Sequence, residues 1–149
     1  MEKASQKKKK TKTPTARKIN NWGLHSPFFT IMSSLSLPTY KDLEVVDNAY
    51  PDKKYTVSVS VPEFNCVCPK TGLPDFGCIY IDYVPHKHIV ELKSFKLYIV
   101  KFRNVGVFHE AVTNQILEDF KKACKPLSIS IRGDFSPRGG IKTTVSRNE

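Results

Sequence analysis

The chain has 149 residues, of which 40% are hydrophobic and 26% are charged, a balance that is ordinary for a soluble protein. This length suffices for one domain with its own hydrophobic core. No stretch approaches the run of about 20 apolar residues that a membrane-spanning helix needs, and the lysine-rich start does not resemble an export signal. We therefore expect a cytoplasmic protein whose four cysteines are reduced thiols.

The formal net charge of +10 is concentrated at the N-terminus. Residues 1–18 contain eight Lys and Arg against Glu2, which accounts for +7 and leaves +3 for the rest. Because this segment has almost nothing apolar to bury, we interpret residues 1–30 as a disordered basic tail and residues 31–149 as the folded domain. The alternative is a tail that binds nucleic acid through counterion release, which predicts salt-sensitive RNA binding that depends on residues 1–18.

Two strands are predicted first along the chain. Apolar and polar residues alternate over Tyr55–Val61, which predicts a half-buried strand that ends at Pro62. The alternation over Ile79–Val84 predicts a second strand, closed by Pro85. Residues 68–77, CPKTGLPDFG, contain two prolines and two glycines and are predicted to form a structured turn between them.

The hydrophobic period then changes to that of helices. Apolar residues three and four apart predict one helix over residues 92–102, which is interrupted at Gly106, and a second from about His109 to Pro126. The predicted apolar faces are Leu92, Phe95, Ile99 and Phe102 in the first helix and Val112, Ile116, Phe120 and Ala123 in the second.

Two further strands complete the predicted fold. Alternation returns over residues 127–131 and 141–145, on either side of a turn predicted at Gly133–Gly140. The order ββααββ predicts an α+β fold in which two helices cover one face of a four-stranded antiparallel sheet. Such a sheet has two open edges and an uncovered face, which favour pairing with other copies, so we expect a ring of subunits.

Cys68 and Asp75 are the first candidates for chemistry. Cys68 stands where a strand gives way to the turn, and its thiolate, favoured by the charge of Lys70, would be a nucleophile. The alternative is a small buried apolar residue. Asp75 lies in the same turn and is a candidate general acid or base, or otherwise an Asp favoured by loop chemistry.

A zinc site is the other interpretation of the cysteines. Cys66, Cys68 and Cys78 lie near His86 and His88 in the sequence. Structural zinc sites space paired cysteines two to four residues apart and normally use a second pair, which is missing. We therefore expect no metal.

Charged residues on the helices suggest binding roles. The Glu110 carboxylate, beside His109, would accept two parallel N–H bonds from a guanine-like edge, or it would simply suit the helix dipole; both interpretations remain open. Lys93, Lys96 and Arg138 suit the phosphates of a dinucleotide, although a solvated face is the usual explanation for helical lysines. Without GxGxxG or Walker sequences, any nucleotide site is neither of the Rossmann nor of the P-loop type.

Four ordered segments carry a resemblance to a known family. They are PEFNCVCPKTGLPDFGCIYIDYVP (62–85), VELKSFKLY (90–98), KFRNVGVFHE (101–110) and GDFSPRGGI (133–141). Together they resemble the QueF family, the NADPH-dependent 7-cyano-7-deazaguanine reductases of tRNA queuosine biosynthesis. The likeness extends over roughly residues 43–145, and ELKSFKLY resembles the signature that separates the reductases from relatives of the same fold.

The resemblance implies a tunnelling fold assembled into rings, here expected as stacked pentamers. It also implies an enzyme that reduces a nitrile to an amine with NADPH. Cys68 matches the nucleophile that forms a covalent thioimide, and Asp75 matches the proton-transfer residue. The matched substrate-binding positions are Val90, Glu91, Leu92, His109 and Glu110, and the positions associated with NADPH are Lys93, Lys96 and Arg138. No metal is implied.

Two rivals on the same scaffold remain. One is an amidine-forming enzyme that captures the thioimide with ammonia, and the other is a zinc-dependent pterin enzyme. Lys93 and Lys96 argue against the first, and the lack of a convincing ligand set argues against the second. Leu92 departs from the Ser of many family members, and the first 30 or so residues have no counterpart.

Overall fold

The computed structural model describes residues 37–149. The basic tail predicted over residues 1–30, and the start of the predicted domain at 31–36, lie outside this range. Within it, no helix is both long and apolar enough to cross a membrane.

Four long strands and two helices form the framework. The elements are β1 (Val45–Asp47), β2 (Val57–Val67), β3 (Pro74–Val84), β4 (His88–Val90), α1 (Leu92–Lys101), α2 (His109–Cys124), β5 (Ser128–Arg138) and β6 (Ile141–Asn148), with 3-10 turns at Tyr40–Asp42 and Phe102–Asn104. The long strands form an antiparallel sheet of order β2-β3-β5-β6, while β1 and β4 pair separately. The predicted α+β class with an antiparallel sheet and two helices is thereby confirmed. The β1–β4 pair was not predicted, since three residues are too few to show an alternation.

The core lies between one face of the sheet and the two helices. Tyr83 of β3, for example, meets Phe120 of α2 edge-to-face with ring centroids 4.9 Å apart. The core side chains from the long strands include Phe64, Ile79, Ile81, Tyr83, Ile129, Ile131 and Phe135, and those from the helical segments include Phe95, Tyr98, Ile99, Phe102, Val112, Ile116 and Phe120. Neither helix covers the opposite face, which carries Tyr80 beneath the Arg132 guanidinium.

Leu92 departs from the predicted apolar face of the first helix. It is the first residue of α1 and is 63% exposed, whereas Phe95 and Ile99 are buried. The first turn of this helix extends past the interface in which the side chains of the later turns are buried. The prediction for Leu92 was therefore wrong.

Pro62 does not end the first long strand. β2 continues to Val67 through a β-bulge, because its pairing with β3 jumps from Val61↔Ile79 to Phe64↔Gly77. A proline is tolerated there because β2 is an edge strand and the bulge leaves its residues out of the ladder. The extra residue also reverses the alternation, so that even-numbered residues face the core beyond the bulge. This reversal turns Cys66 and Cys68 inward.

Both predicted turns are shorter than expected. β3 begins at Pro74 rather than beyond residue 77, so the first connection is reduced to residues 68–73. β5 runs on to Arg138, and Gly139 and Gly140, with φ of 56° and 78°, form a two-residue hairpin turn. The alternation of apolar residues did not predict the longer β3 and β5, because each added segment lies next to a proline or a bulge.

Candidate active site

Cys68 lies at the carboxyl end of β2, inside a tight turn. Its backbone N–H donates to the Leu73 carbonyl at 2.8 Å, and its own carbonyl accepts from the Gly72 N–H at 2.9 Å. Gly72 has a φ of 70°, a conformation that side chains rarely adopt. The Cys68 side chain is consequently held against the domain and is only 6% exposed.

The turn also activates the thiol. Hydrogen bonds from the hydroxyl and N–H of Thr71, then from the Lys70 N–H and the Arg138 side chain, lower the pKa of Cys68 from its usual 9.0 to about 7. Lys70 acts through its backbone, not through the side-chain charge on which the sequence argument relied. The sequence analysis did not identify Thr71. A hydroxyl-bearing residue three positions after a cysteine in a predicted turn is a pattern that could have indicated it.

Asp75 reaches the same place from the neighbouring strand. It pairs with Cys66 across β2 and β3, faces the core and is 3% exposed. Its Oδ1 lies 2.5 Å from Nη1 of Arg138, and its Oδ2 lies 3.2 Å from Nε2 of His109. Apart from the ion pair with Arg138, no donor within residues 37–149 is hydrogen-bonded to Oδ1. The predicted turn residue is thus a buried, ion-paired carboxylate.

His109 is the first residue of α2 and is held flat against the sheet. Its ring stacks on Phe135 of β5, with centroids 3.8 Å apart and planes 1° apart. The helix can come this close because a Cβ on Gly133 would lie 2.7 Å from the Thr113 hydroxyl, which itself donates to the His109 carbonyl. This contact orients Nε2 of His109 towards Asp75. The sequence did not predict that Phe135 would hold the His109 ring in place.

The two neighbouring cysteines differ in reactivity. Burial, and then the negative charge of Asp75, raise the pKa of Cys66 to about 11. Burial also raises the pKa of Cys124 to about 12. Because thiolate is the nucleophilic form, Cys68 is the better nucleophile of the three at neutral pH. Among residues 37–149 no group of three or more His, Cys, Asp or Glu side chains could hold a metal ion.

The predicted substrate-binding residues are spread over three environments. Val90 is buried in the core, and Leu92 is exposed. Glu91 is the N-cap of α1: its carboxylate accepts from the N–H groups of Lys93 at 2.8 Å and Ser94 at 2.6 Å, which lower its pKa. Glu110 is exposed in the first turn of α2, and its carboxylate has no hydrogen-bond or ion-pair partner within the described residues.

The residues predicted to bind NADPH separate into two groups. Lys93 and Lys96 are exposed on α1, and Lys96 borders a groove of about 260 Å³ between α1 and β2 that Arg103 also lines. No hydrogen bond or ion pair in the described part of the chain joins these lysines to Cys68 or Asp75. Arg138 instead contacts Asp75 and lies 3.4 Å from Nε2 of His109. We call Cys68, Asp75, His109 and Arg138 the Cys68 cluster.

Comparison with known proteins identifies the family. Residues 74–149 match the family model described as QueF-like protein. A protein of Chlorobaculum tepidum named NADPH-dependent 7-cyano-7-deazaguanine reductase is 52% identical over 104 residues, which are 70% of this chain and 89% of that protein. The chain belongs to the QueF-like family. Proteins of the same name are 51% identical in Nitrosococcus oceani, over 71% of this chain and 82% of theirs, and 50% identical in Halorhodospira halophila, over 74% and 94%.

A solved structure shares the fold of this QueF-like chain. The crystal structure of the archaeosine synthase QueF-Like in the apo form matches with a TM-score of 0.58 over 62% of this chain and 91% of that one. At 22% identity, the match concerns the fold alone. The resemblance inferred from the four sequence segments is thereby confirmed at the level of family and fold.

Proposed function

We propose that this chain reduces the nitrile of 7-cyano-7-deazaguanine to the aminomethyl group, with NADPH and through a covalent thioimide on Cys68, as a step of tRNA queuosine biosynthesis. One observation carries the proposal: a thiol whose pKa is lowered to about 7 lies in one cluster with a buried carboxylate–histidine pair. The relatives named for this reaction, at 50 to 52% identity, supply the substrate and the cofactor.

Cys68 supplies the nucleophile. A nitrile carbon accepts hydride poorly, whereas the carbon of a thioimide is more electrophilic. The Cys68 thiolate forms a bond from sulfur to the nitrile carbon, one carbon–nitrogen π bond breaks, and the nitrogen takes up a proton. With a pKa of about 7, a large fraction of Cys68 is thiolate at neutral pH.

Asp75 and His109 manage the protons. Oδ2 of Asp75 and Nε2 of His109 are 3.2 Å apart, close enough for this pair to deliver a proton to the nitrile nitrogen during addition. Reduction of the thioimide carbon is followed by expulsion of the Cys68 thiolate, which leaves an imine for the second reduction. The complete reaction consumes two hydrides and two protons, and the thiolate is regenerated.

The groove beside α1 is suited to the cofactor. Lys96 and Arg103 line the groove, and Lys93 is exposed on the same helix; neither lysine forms an ion pair within residues 37–149. Such cations would hold the phosphates of NADPH, which supplies the two hydrides when bound. The hydrogen bond that the Glu91 carboxylate accepts at the start of α1 holds the first turn of this helix in place.

Glu110 is suited to the base. Its exposed carboxylate stands next to His109 in the first turn of α2, where the helix dipole favours an anion. Two carboxylate oxygens match two adjacent N–H groups on the guanine-like edge of the substrate. Recognition by Glu110 would direct the nitrile towards the Cys68 cluster.

A ring of subunits would complete the site. The apolar side chains of Leu73, Phe76 and Phe108 are each more than half exposed and flank Cys68, Asp75 and His109 in sequence. Subunits that pack over them would exclude water and protect the imine from hydrolysis. The free edges β2 and β6 would serve such an assembly, for which we propose stacked pentamers.

The proposal is tested by incubating the purified protein with 7-cyano-7-deazaguanine and NADPH and following both by absorbance and mass spectrometry. We expect about two NADPH oxidised for each aminomethyl product. Release of an amidine with ammonia and without NADPH oxidation would contradict the proposal and favour the amidine-forming rival. Native mass spectrometry tests the ring as multiples of the 16.9 kDa chain.

A further inference from the structure

The side chain of Arg138 is turned to the core face by a bulge. Along β5, Ile129, Ile131 and Phe135 face the core, and regular alternation would place residue 138 on the opposite face. The pairing with β6, however, jumps from Phe135↔Thr143 to Arg138↔Ile141, which adds one residue to β5. A bulge of this kind re-aims the side chain that follows it.

The re-aimed guanidinium contacts both Asp75 and His109. Nη1 lies 2.5 Å from Oδ1 of Asp75, and Nη2 lies 3.4 Å from Nε2 of His109. Its hydrogen bond to Cys68 is one of the causes that lower the pKa of that thiol, and the same bond is the largest cause that raises the pKa of Arg138.

Asp75 depends on this contact. Its side chain is 2% exposed, and among the described residues Oδ1 has the Arg138 ion pair but no hydrogen-bond donor. A buried carboxylate without a compensating charge is costly, so removal of the guanidinium would favour a different side-chain position of Asp75.

We infer that Arg138 is a positioning residue that holds Asp75 and the Cys68 thiolate ready for addition, and that it is not primarily a ligand of the NADPH phosphates. Its effect on catalysis rests on the proposed function. Its effect on the thiol does not. The inference departs from the role that the family resemblance implies for this position, which groups Arg138 with Lys93 and Lys96.

The first test measures the thiol without substrate or cofactor. Iodoacetamide alkylation of Cys68 is followed against pH by peptide mass spectrometry in the full-length protein. We expect Arg138→Ala to raise the pKa of Cys68 and to slow its alkylation at pH 7 by about twofold. Arg138→Lys, which keeps the charge and loses the planar fork, should give an intermediate rate. The matched control is Arg132→Ala on the same strand, whose guanidinium lies over Tyr80 on the other face, and which should alkylate at the unaltered rate.

The second test measures addition in the absence of NADPH. Arg138→Ala should form the covalent adduct with the nitrile at least about fivefold more slowly, and the KM for NADPH should change little. Adduct formation at the unaltered rate together with a raised KM for NADPH would make Arg138 a cofactor ligand and overturn the inference. An unchanged alkylation profile would also overturn it.

Two features keep the tests decisive. If circular dichroism shows that Arg138→Ala does not fold, Arg138→Gln, which is uncharged but of similar reach, takes its place with the same expectations. Because alkylation needs neither nitrile nor NADPH, its failure would refute the role of Arg138 and leave the proposed reaction standing. An unaltered protein that oxidises no NADPH would refute the reaction and leave the alkylation result intact.

Discussion

The rate at which the nitrile adds to Cys68 should rise with pH and level off just above neutrality. Only the thiolate adds, and the pKa of Cys68 is lowered from 9.0 to about 7, so the rate is lost as pH falls below 7. From pH 6 to pH 8 the thiolate fraction of such a group rises about tenfold and then saturates, whereas a thiol with the usual pKa would gain about ninetyfold and continue to rise.

The Thr71 hydroxyl is the largest cause of this shift, and its removal is the perturbation of choice. Thr71→Val should move the profile to higher pH, with a rate about tenfold lower at pH 6 and little change above pH 9. The assay is adduct formation without NADPH, by rapid quench and intact mass, with the exposed Thr56→Val as a control. An unaltered enzyme whose rate still climbs steadily through pH 9, or a Thr71→Val profile identical to it, would refute this reasoning.

Three further substitutions test other parts of the molecule. Glu110→Gln should weaken the affinity for the nitrile substrate about tenfold or more by calorimetry, because one acceptor becomes a donor facing substrate N–H groups; unchanged affinity would remove its recognition role. Lys96→Ala should raise the KM for NADPH about fivefold in steady-state assays and leave adduct formation intact, and the reverse pattern would contradict its assignment. Tyr98→Phe should lower the free energy of unfolding in urea by about 1–3 kcal/mol, because the buried Asp119 loses the hydroxyl that donates at 2.8 Å; an unchanged midpoint would show that this bond contributes nothing.

The helices were predictable because each presents one continuous apolar face. Phe95, Ile99 and Phe102 recur at helical spacing and are buried as predicted. The same pattern misplaced Leu92, since periodicity does not show where a helix end leaves the covering layer. Local sequence therefore predicted which segments are helical better than which end residues are buried.

The strands were predictable only up to their bulges. Alternation identified the segments before Pro62 and from Ile79, but a one-residue insertion reverses which face a residue occupies, and nothing in the alternation announces it. The orientation of Cys68 and that of Arg138 both follow from such insertions. A regular extrapolation would have placed both side chains on the wrong face.

The sequence named the residues of the Cys68 cluster but not their arrangement. Family resemblance supplied Cys68, Asp75 and His109, and the structure brings them together with Arg138. Because the ion pair of Asp75 with Arg138 joins residues 63 positions apart on strands aligned by the sheet, sequence spacing carries no signal of it. The roles of these residues in catalysis stay predictions until tested.

The central claim is that the sulfur of Cys68 bonds to the cyano carbon. Intact-protein mass spectrometry with 7-cyano-7-deazaguanine and no NADPH tests it most directly. The account predicts one added nitrile on the unaltered protein, mapped to Cys68, and none on Cys68→Ala, which should also oxidise no NADPH. An adduct on Cys66, or undiminished reduction by Cys68→Ala, would contradict it.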